Sequence, residues 1–232
     1  MTPLALTWTL ANTVGGLVGF GVGGFVTWAA LAALGLLDTS HSRSGPEIAL
    51  VLLCAFAWPP IAGSIVGMAQ SLALRCTLGR VSARAWITRS ALGWLVGATG
   101  AGITVYLGAL TVHSALATGV LLVVAGLVMG VPVAAGQASL LAASGASVWL
   151  WVMSVLIGYG AGALAGAAAG DALLSGVPVS DAASTLMLAP ALAGAVAGCV
   201  SGAISGLALA IAIRAATRAE TGTYDRDDGS MA

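Results

Sequence analysis

Six long apolar runs constrain the fold of this sequence more than any other feature. They occupy residues 4–37, 48–75, 85–112, 116–144, 148–175 and 184–218. Each run exceeds the ~20 residues that an α-helix needs to cross the hydrocarbon core of a bilayer. Because 59% of the residues are hydrophobic and only 7% are charged, the chain cannot cover itself with a water-facing surface. Nothing alternates with period two, as membrane β-strands do. We therefore predict an all-α integral membrane protein with six transmembrane helices. The lipid bilayer is its first predicted interaction partner.

The six runs form three pairs with matching patterns. In the first run of each pair, a tryptophan precedes small residues by seven, eleven and fifteen positions: Trp8, Gly15, Gly19 and Gly23; Trp86, Gly93, Gly97 and Ala101; Trp151, Gly158, Gly162 and Gly166. The second runs also match: Gly63, Gly67, Gln70 and Arg75; Gly130, Ala134, Gln137 and Ala142; Gly202, Gly206, Leu209 and Arg214. A fixed period of this kind predicts an internal triplication. We expect one membrane domain of three repeated αα-hairpins, 4–75, 85–144 and 148–218, followed by a polar, flexible tail at 220–232.

The repeated glycines predict close contacts between helices. A spacing of four residues places them on one stripe of a helix, where a neighbouring backbone can approach closely. The predicted packing glycines are Gly15, Gly19, Gly23, Gly63, Gly67, Gly93, Gly97, Gly130, Gly158, Gly162, Gly166, Gly202 and Gly206. A second interpretation is a glycine-lined groove that admits a substrate or an apolar pigment.

Four neutral polar residues within the apolar runs are the candidate ligand-binding residues: Asn12, Gln70, Ser90 and Gln137. An amide in hydrocarbon must find hydrogen-bond partners, so these side chains should point inward. They occupy matching positions in the first two repeats, whereas the third repeat has Val155 and Leu209 there. Hydrogen bonds between helices and contacts to a ligand both remain open.

The arginines predict the orientation, since the chain has no lysine. Seven of them flank the second connection or follow the sixth run: Arg75, Arg80, Arg84, Arg89, Arg214, Arg218 and Arg226. Only Arg43 lies on the other side. The positive-inside rule therefore predicts a multi-pass protein of the cell membrane with both termini in the cytoplasm. The predicted interfacial anchors at that face are Trp8, Arg75, Trp86, Trp151 and Arg214.

Several chemistries are excluded by the residues themselves. Without lysine there is no Schiff base and no phosphate-binding GxxxxGK[ST] loop, and neither HExxH nor GxSxG occurs. The three cysteines form no CxxC and have no histidine at ligand spacing, so we assign neither a disulfide nor a metal site. We expect a protein that is not an enzyme, without cofactor or metal. The arginines are accounted for by topology, so we expect no nucleic-acid partner.

Two paired segments resemble a repeat of bacterial multi-pass membrane proteins. The segment GSIVGMAQSLALR at 63–75 has the pattern GxxxGxxQxxxxR, and AWITRSALGWLVGATGAG at 85–102 is a tryptophan-led glycine helix. Strings of these two motifs characterise that group, and the resemblance covers most of the chain. The third repeat departs from it by placing Leu209 where the glutamine belongs. The resemblance supports the repeat interpretation and implies no activity.

Two functions are consistent with these features. In the first, the helices bind or pass a small neutral or hydrophobic solute, as the membrane component of a transporter that a cytoplasmic partner energises. In the second, the protein is a structural or assembly subunit whose glycine faces pack against other membrane subunits. A polar-lined cavity at the candidate residues would favour the first function, whereas a closed interior would favour the second.

Overall fold

The computed structural model describes residues 3–36, 44–75, 81–112, 114–142, 147–175 and 182–227, without the side chains of 109, 174, 182–187 and 216–227. Six α-helices account for nearly all of these residues: α1 (Pro3–Ala33), α2 (Gly45–Arg75), α3 (Ala83–Ala109), α4 (Ala115–Ala142), α5 (Val148–Leu174) and α6 (Ala182–Asp227). All six contain a segment long and apolar enough to cross a membrane. The helical class and the six candidate spans are thus confirmed for the described residues.

Short polar side chains set the beginnings of several helices. At the start of α2, Glu47 Oε2 accepts from the Ser44 backbone N–H at 2.6 Å and from its hydroxyl at 2.7 Å, as in a capping box. Ser82 and Ser147 cap α3 and α5, each accepting a hydrogen bond from a backbone N–H three residues later. After α1 the chain turns at Gly35, whose φ of +69° favours glycine.

The six helices form a closed ring. Each one packs against the helices before and after it in the chain, and α6 returns to pack against α1. Between the described residues of helices farther apart in this order there are no comparable contacts. Alternate helices therefore face one another across an interior, and that interior is where a site could form.

Glycines allow the ring helices to touch along their backbones. An added β carbon at Gly19 would lie 3.1 Å from the Ala62 carbonyl oxygen of α2, and one at Gly162 would lie 2.9 Å from the Ala197 carbonyl oxygen of α6. The other predicted packing glycines also face an adjacent helix at under 3.4 Å. The glycine stripes thus lie at contacts within the ring itself.

The last helix extends further than the sequence predicted. We expected a flexible tail from residue 220, whereas the backbone of α6 continues as a helix to Asp227. Alanine, arginine and glutamate, which favour helices, dominate residues 214–220, and residues 221–227 contain no proline that would stop the helix. Residues 228–232 lie outside the described part.

Candidate functional site

Three tryptophans from alternate helices meet in the middle of the ring. Trp8 of α1, Trp86 of α3 and Trp151 of α5 have ring centroids 5.6 to 6.2 Å apart, at interplanar angles of 61° to 82°. Edge-to-face packing of this kind is favourable for aromatic rings. Trp8 and Trp86 are fully buried, and Trp151 is 2% exposed. We call these residues the tryptophan layer.

This placement corrects the prediction of an interfacial aromatic belt, which would put the rings on the outer surface of the ring of helices. The glycine spacing contained the signal that was missed. Trp8 precedes Gly15 by seven residues, or about two helical turns, so both lie on the same face of α1. A tryptophan on the packing face of a helix is buried among its neighbours.

The three residues of the tryptophan layer differ from one another in their hydrogen bonds. Trp8 Nε1 donates to Ser205 Oγ on α6 at 3.0 Å, and Trp86 Nε1 donates to Gln70 Oε1 on α2 at 3.0 Å. Trp151 Nε1 is buried without a partner among the described residues. Within the tryptophan layer, the unpaired indole is thus the one on α5, the helix that has Val155 four residues later where α1 and α3 have Asn12 and Ser90.

The four predicted polar residues lie together in one network. Gln70 Nε2 donates to Asn12 Oδ1 at 2.9 Å, and Gln137 Nε2 donates to Gln70 Oε1 at 3.1 Å and to Ser90 Oγ at 3.0 Å. Asn12 Nδ2 donates to the Trp8 carbonyl oxygen at 2.9 Å. All four residues are buried. The network connects α1, α2, α3 and α4, so it holds helices together, as one of the two interpretations predicted.

Next to this network, a cavity of about 180 Å³ lies inside the ring, and we call it the inner cavity. All six helices contribute to its wall. Its polar lining side chains are Asn12, Trp94, Tyr159 and Ser201, and the rest of the lining is glycine and apolar residues such as Val66, Leu122, Ala125 and Met129. Of the four predicted ligand-binding residues, only Asn12 lines it. Gln70, Ser90 and Gln137 lie in the network beneath it.

Phe20 separates the inner cavity from a second, more open space. That outer cavity, of about 450 Å³, is lined by residues of α1, α2 and α6, and Phe20 borders both cavities. The Phe20 ring packs edge-to-face on Trp58 and Trp94 at centroid distances of 4.9 and 5.5 Å. Along α1, the residues facing the interior run from Trp8 through Asn12 to Phe20, a rise of ~18 Å at 1.5 Å per residue.

Helical spacing indicates only some of the remaining cavity residues, which the sequence does not otherwise distinguish: Phe20, Trp94, Tyr159 and Ser201. Trp94 follows Ser90 by four residues, and Phe20 follows Asn12 by eight, so each lies on the inward face of its helix. Phe20 and Trp94 are aromatic residues within long apolar runs, so polarity does not distinguish them from their neighbours.

The predicted arginine anchors lie on the surface. Arg75, at the end of α2, and Arg214, in α6, are exposed. Arg89 is also exposed and donates from Nη1 to Ser139 Oγ of α4 at 3.1 Å. Arg80, Arg218 and Arg226 lie outside the residues whose side chains are described.

Comparisons with known proteins add no identification. No protein-family model matches the chain, and neither the curated proteins nor the solved structures include a significant match. Within the described residues, no group of three histidine, cysteine, aspartate or glutamate side chains could hold a metal ion.

Proposed function

We propose that this protein binds or passes a small neutral or hydrophobic solute inside its ring of helices, as the membrane component of a transport system energised by another chain. The inner cavity is the observation that carries the proposal. A water molecule needs ~10–15 Å³ of such space, so about 180 Å³ exceeds the room for a few waters. Protein interiors are otherwise close-packed, and a purely structural subunit has no need of a hollow centre.

The lining of the inner cavity supports a neutral solute. No charged residue contributes to the described wall, and most of the surface belongs to glycine and aliphatic or aromatic side chains. An ion would lose its hydration there without a counter-charge, at a cost of several kcal/mol or more. Apolar cavities of this size stay dry and accept apolar molecules.

The alternative function, a scaffold subunit, depended on free glycine faces for a partner. In the structure, the faces that carry Gly19 and Gly162 already contact neighbouring helices. The outward surface instead presents large apolar side chains, such as Leu53, Val96 and Ile157, which suit contact with lipid acyl chains. These observations favour the solute-binding proposal.

The proposal includes the architecture and its orientation. We propose that three hairpin repeats, related by a pseudo-threefold axis along the membrane normal, build the ring, with both chain termini in the cytoplasm. The similar centroid distances within the tryptophan layer support the axis, because they join equivalent positions of three repeats. The exposed residues Arg75, Arg84 and Arg214 support the orientation, since Arg75 ends α2, Arg84 begins α3 and Arg214 lies at the C-terminal limit of the apolar segment of α6.

The test is purification in mild detergent, with mass spectrometry of the molecules that remain attached, followed by a cavity-filling variant. Ala125 is buried in α4 and lines the inner cavity, so Ala125→Phe should displace the solute. Ala135 lies on the same helix and is exposed, which makes Ala135→Phe the matched control. We expect the wild type and the control to retain the same small molecule and Ala125→Phe to lose it. Equal retention in all three would refute binding in the inner cavity.

A further inference from the structure

We infer that the solute is amphipathic, an uncharged molecule with one hydroxyl or carbonyl group, and that its polar end binds at Asn12, Tyr159 and Ser201. This inference rests on the proposed function, because it assigns a chemical class to the solute of the inner cavity. It also assigns an orientation to the bound solute, whose polar end points to these three residues.

Asn12 of α1 and Ser201 of α6 lie at the same level along the ring, and Tyr159 of α5 lies beside Ser201. An added β carbon at Gly202 would be 2.7 Å from Asn12 Cβ, and one at Gly158 would be 3.1 Å from Ser201 Cα. Gly202 follows Ser201 directly, and Gly158 precedes Tyr159. These backbone contacts therefore bring α1, α5 and α6 together at one height, and we call the three side chains the polar floor.

The polar floor lies where the cavity meets the hydrogen-bonded network. Asn12 belongs to both, since it accepts from Gln70 and also lines the inner cavity. Its Oδ1 and one N–H are engaged with Gln70 and the Trp8 carbonyl oxygen, whereas an amide nitrogen carries two donors. Its second N–H can donate to an oxygen of a solute.

Hydroxyl groups give the polar floor both donor and acceptor capacity. Ser201 Oγ donates to the Gly198 carbonyl oxygen over a long 3.4 Å, so the hydroxyl can turn to a better acceptor in the cavity. Hydroxyl oxygens of serine and tyrosine also accept hydrogen bonds. An alcohol, a phenol or a ketone would give these groups an additional hydrogen-bond partner, which a hydrocarbon cannot provide.

The opposite wall has the complementary character. Val66, Leu122 and Met129, on α2 and α4, line the same cavity and offer only dispersion contacts. A molecule with a polar end on the floor would therefore rest its apolar body against this wall. A few placed polar groups in an otherwise apolar site are typical of small-molecule pockets.

A pair of matched probes tests this inference. p-Cresol and p-xylene have nearly the same shape and differ by a hydroxyl group in place of a methyl group. We would measure the affinity of both for the detergent-purified protein by titration calorimetry, for the wild type, Tyr159→Phe and Ser201→Ala. The control is Tyr106→Phe, which removes the same hydroxyl from a side chain that is 67% exposed.

The quantity to compare is the ratio of the p-cresol affinity to the p-xylene affinity, because partition into micelles and transfer from water cancel when variants are compared. We expect Tyr159→Phe and Ser201→Ala each to lower this ratio about three- to tenfold, the range of one net hydrogen bond. The p-xylene affinity should stay within about twofold of the wild type, which also verifies that the variants are folded. Tyr106→Phe should leave the ratio unchanged.

The outcomes separate the two proposals. If p-xylene binds and neither substitution changes the ratio, the polar floor is refuted while binding in the inner cavity stands. The proposed function itself is refuted if neither probe binds the wild-type protein and if Ala125→Phe and Ala135→Phe retain the same small molecules on purification.

Discussion

The tryptophan layer allows a comparison within one molecule, because three indoles of equal size differ in hydrogen bonding. All three are at most 2% exposed, and each packs edge-to-face on the other two. Trp8 and Trp86 donate hydrogen bonds, whereas Trp151 donates none within the described structure. We predict that Trp151→Phe destabilises the protein less than Trp8→Phe or Trp86→Phe.

The magnitude follows from the difference between the sites. Every Trp→Phe change removes the same ring atoms and leaves a similar void, so this cost largely cancels in the comparison. At Trp8 and Trp86 the change also removes a hydrogen bond worth ~0.5–1.5 kcal/mol. At Trp151 it instead removes a buried donor whose lack of a partner costs ~1–3 kcal/mol. The free energy of unfolding of Trp151→Phe should therefore exceed that of Trp8→Phe or Trp86→Phe by ~1.5–4.5 kcal/mol, the sum of the two ranges.

The assay is equilibrium unfolding in mixed detergent micelles, monitored by circular dichroism. The control is Trp149→Phe, because Trp149 is 72% exposed and its substitution should change the free energy of unfolding by less than ~0.5 kcal/mol. A loss of stability at Trp151 equal to or greater than that at Trp86 would refute the reasoning. The indole hydrogen bonds would then contribute nothing measurable to the free energy of unfolding beyond the contacts between the rings.

Three further predictions concern packing, the polar network and orientation. Gly97→Ala should lower the free energy of unfolding by ~1–3 kcal/mol, because the added β carbon would lie 2.5 Å from a backbone oxygen of α4, whereas Gly102→Ala meets open space and should be neutral or stabilising; equal effects in thermal unfolding would contradict this. Gln70→Leu should cost ~1–3 kcal/mol, since two donors and one acceptor lose their partner, and wild-type stability in the same assay would show the network to be dispensable. In a chain whose native cysteines are replaced, Ser82→Cys should react with an impermeant maleimide only from the cytoplasm and Ser44→Cys only from outside, and reversed labelling would overturn the orientation.

The sequence predicted well those features that depend on polarity. The six long helices follow from hydropathy alone, and their observed ends lie within a few residues of the apolar runs for all but α6. The meeting of Asn12 with Gln70 was also predictable, because buried amides in an apolar environment must find one another. Polarity does not predict how many partners Gln70 has: its side chain bonds to Asn12, Trp86 and Gln137.

Features that depend on shape could not be predicted in the same way. The position of the three tryptophans near helix ends predicts the headgroup layer, whereas the helical face that they share with the glycines turns them towards the interior. The inner cavity arises from how six helices tilt and how Phe20 and Tyr159 fill the interior, and no local pattern encodes an unfilled volume. Helix packing likewise decides that Asn12 borders the cavity and that Gln137 does not.

The contact between α1 and α6 has a consequence for how the protein is made. Trp8 and Ser205 are 197 residues apart in the chain, so the hydrogen bond that closes the ring joins the first of the six helices to the last. Because a chain emerges from the ribosome with its N-terminal part first, α1 must wait with the Trp8 indole N–H and the glycine face at Gly16 uncovered until α6 has followed. Completion of the ring is thus a late step in biosynthesis, and a chain arrested before α6 would present to the cell a polar, glycine-lined edge that the finished protein conceals.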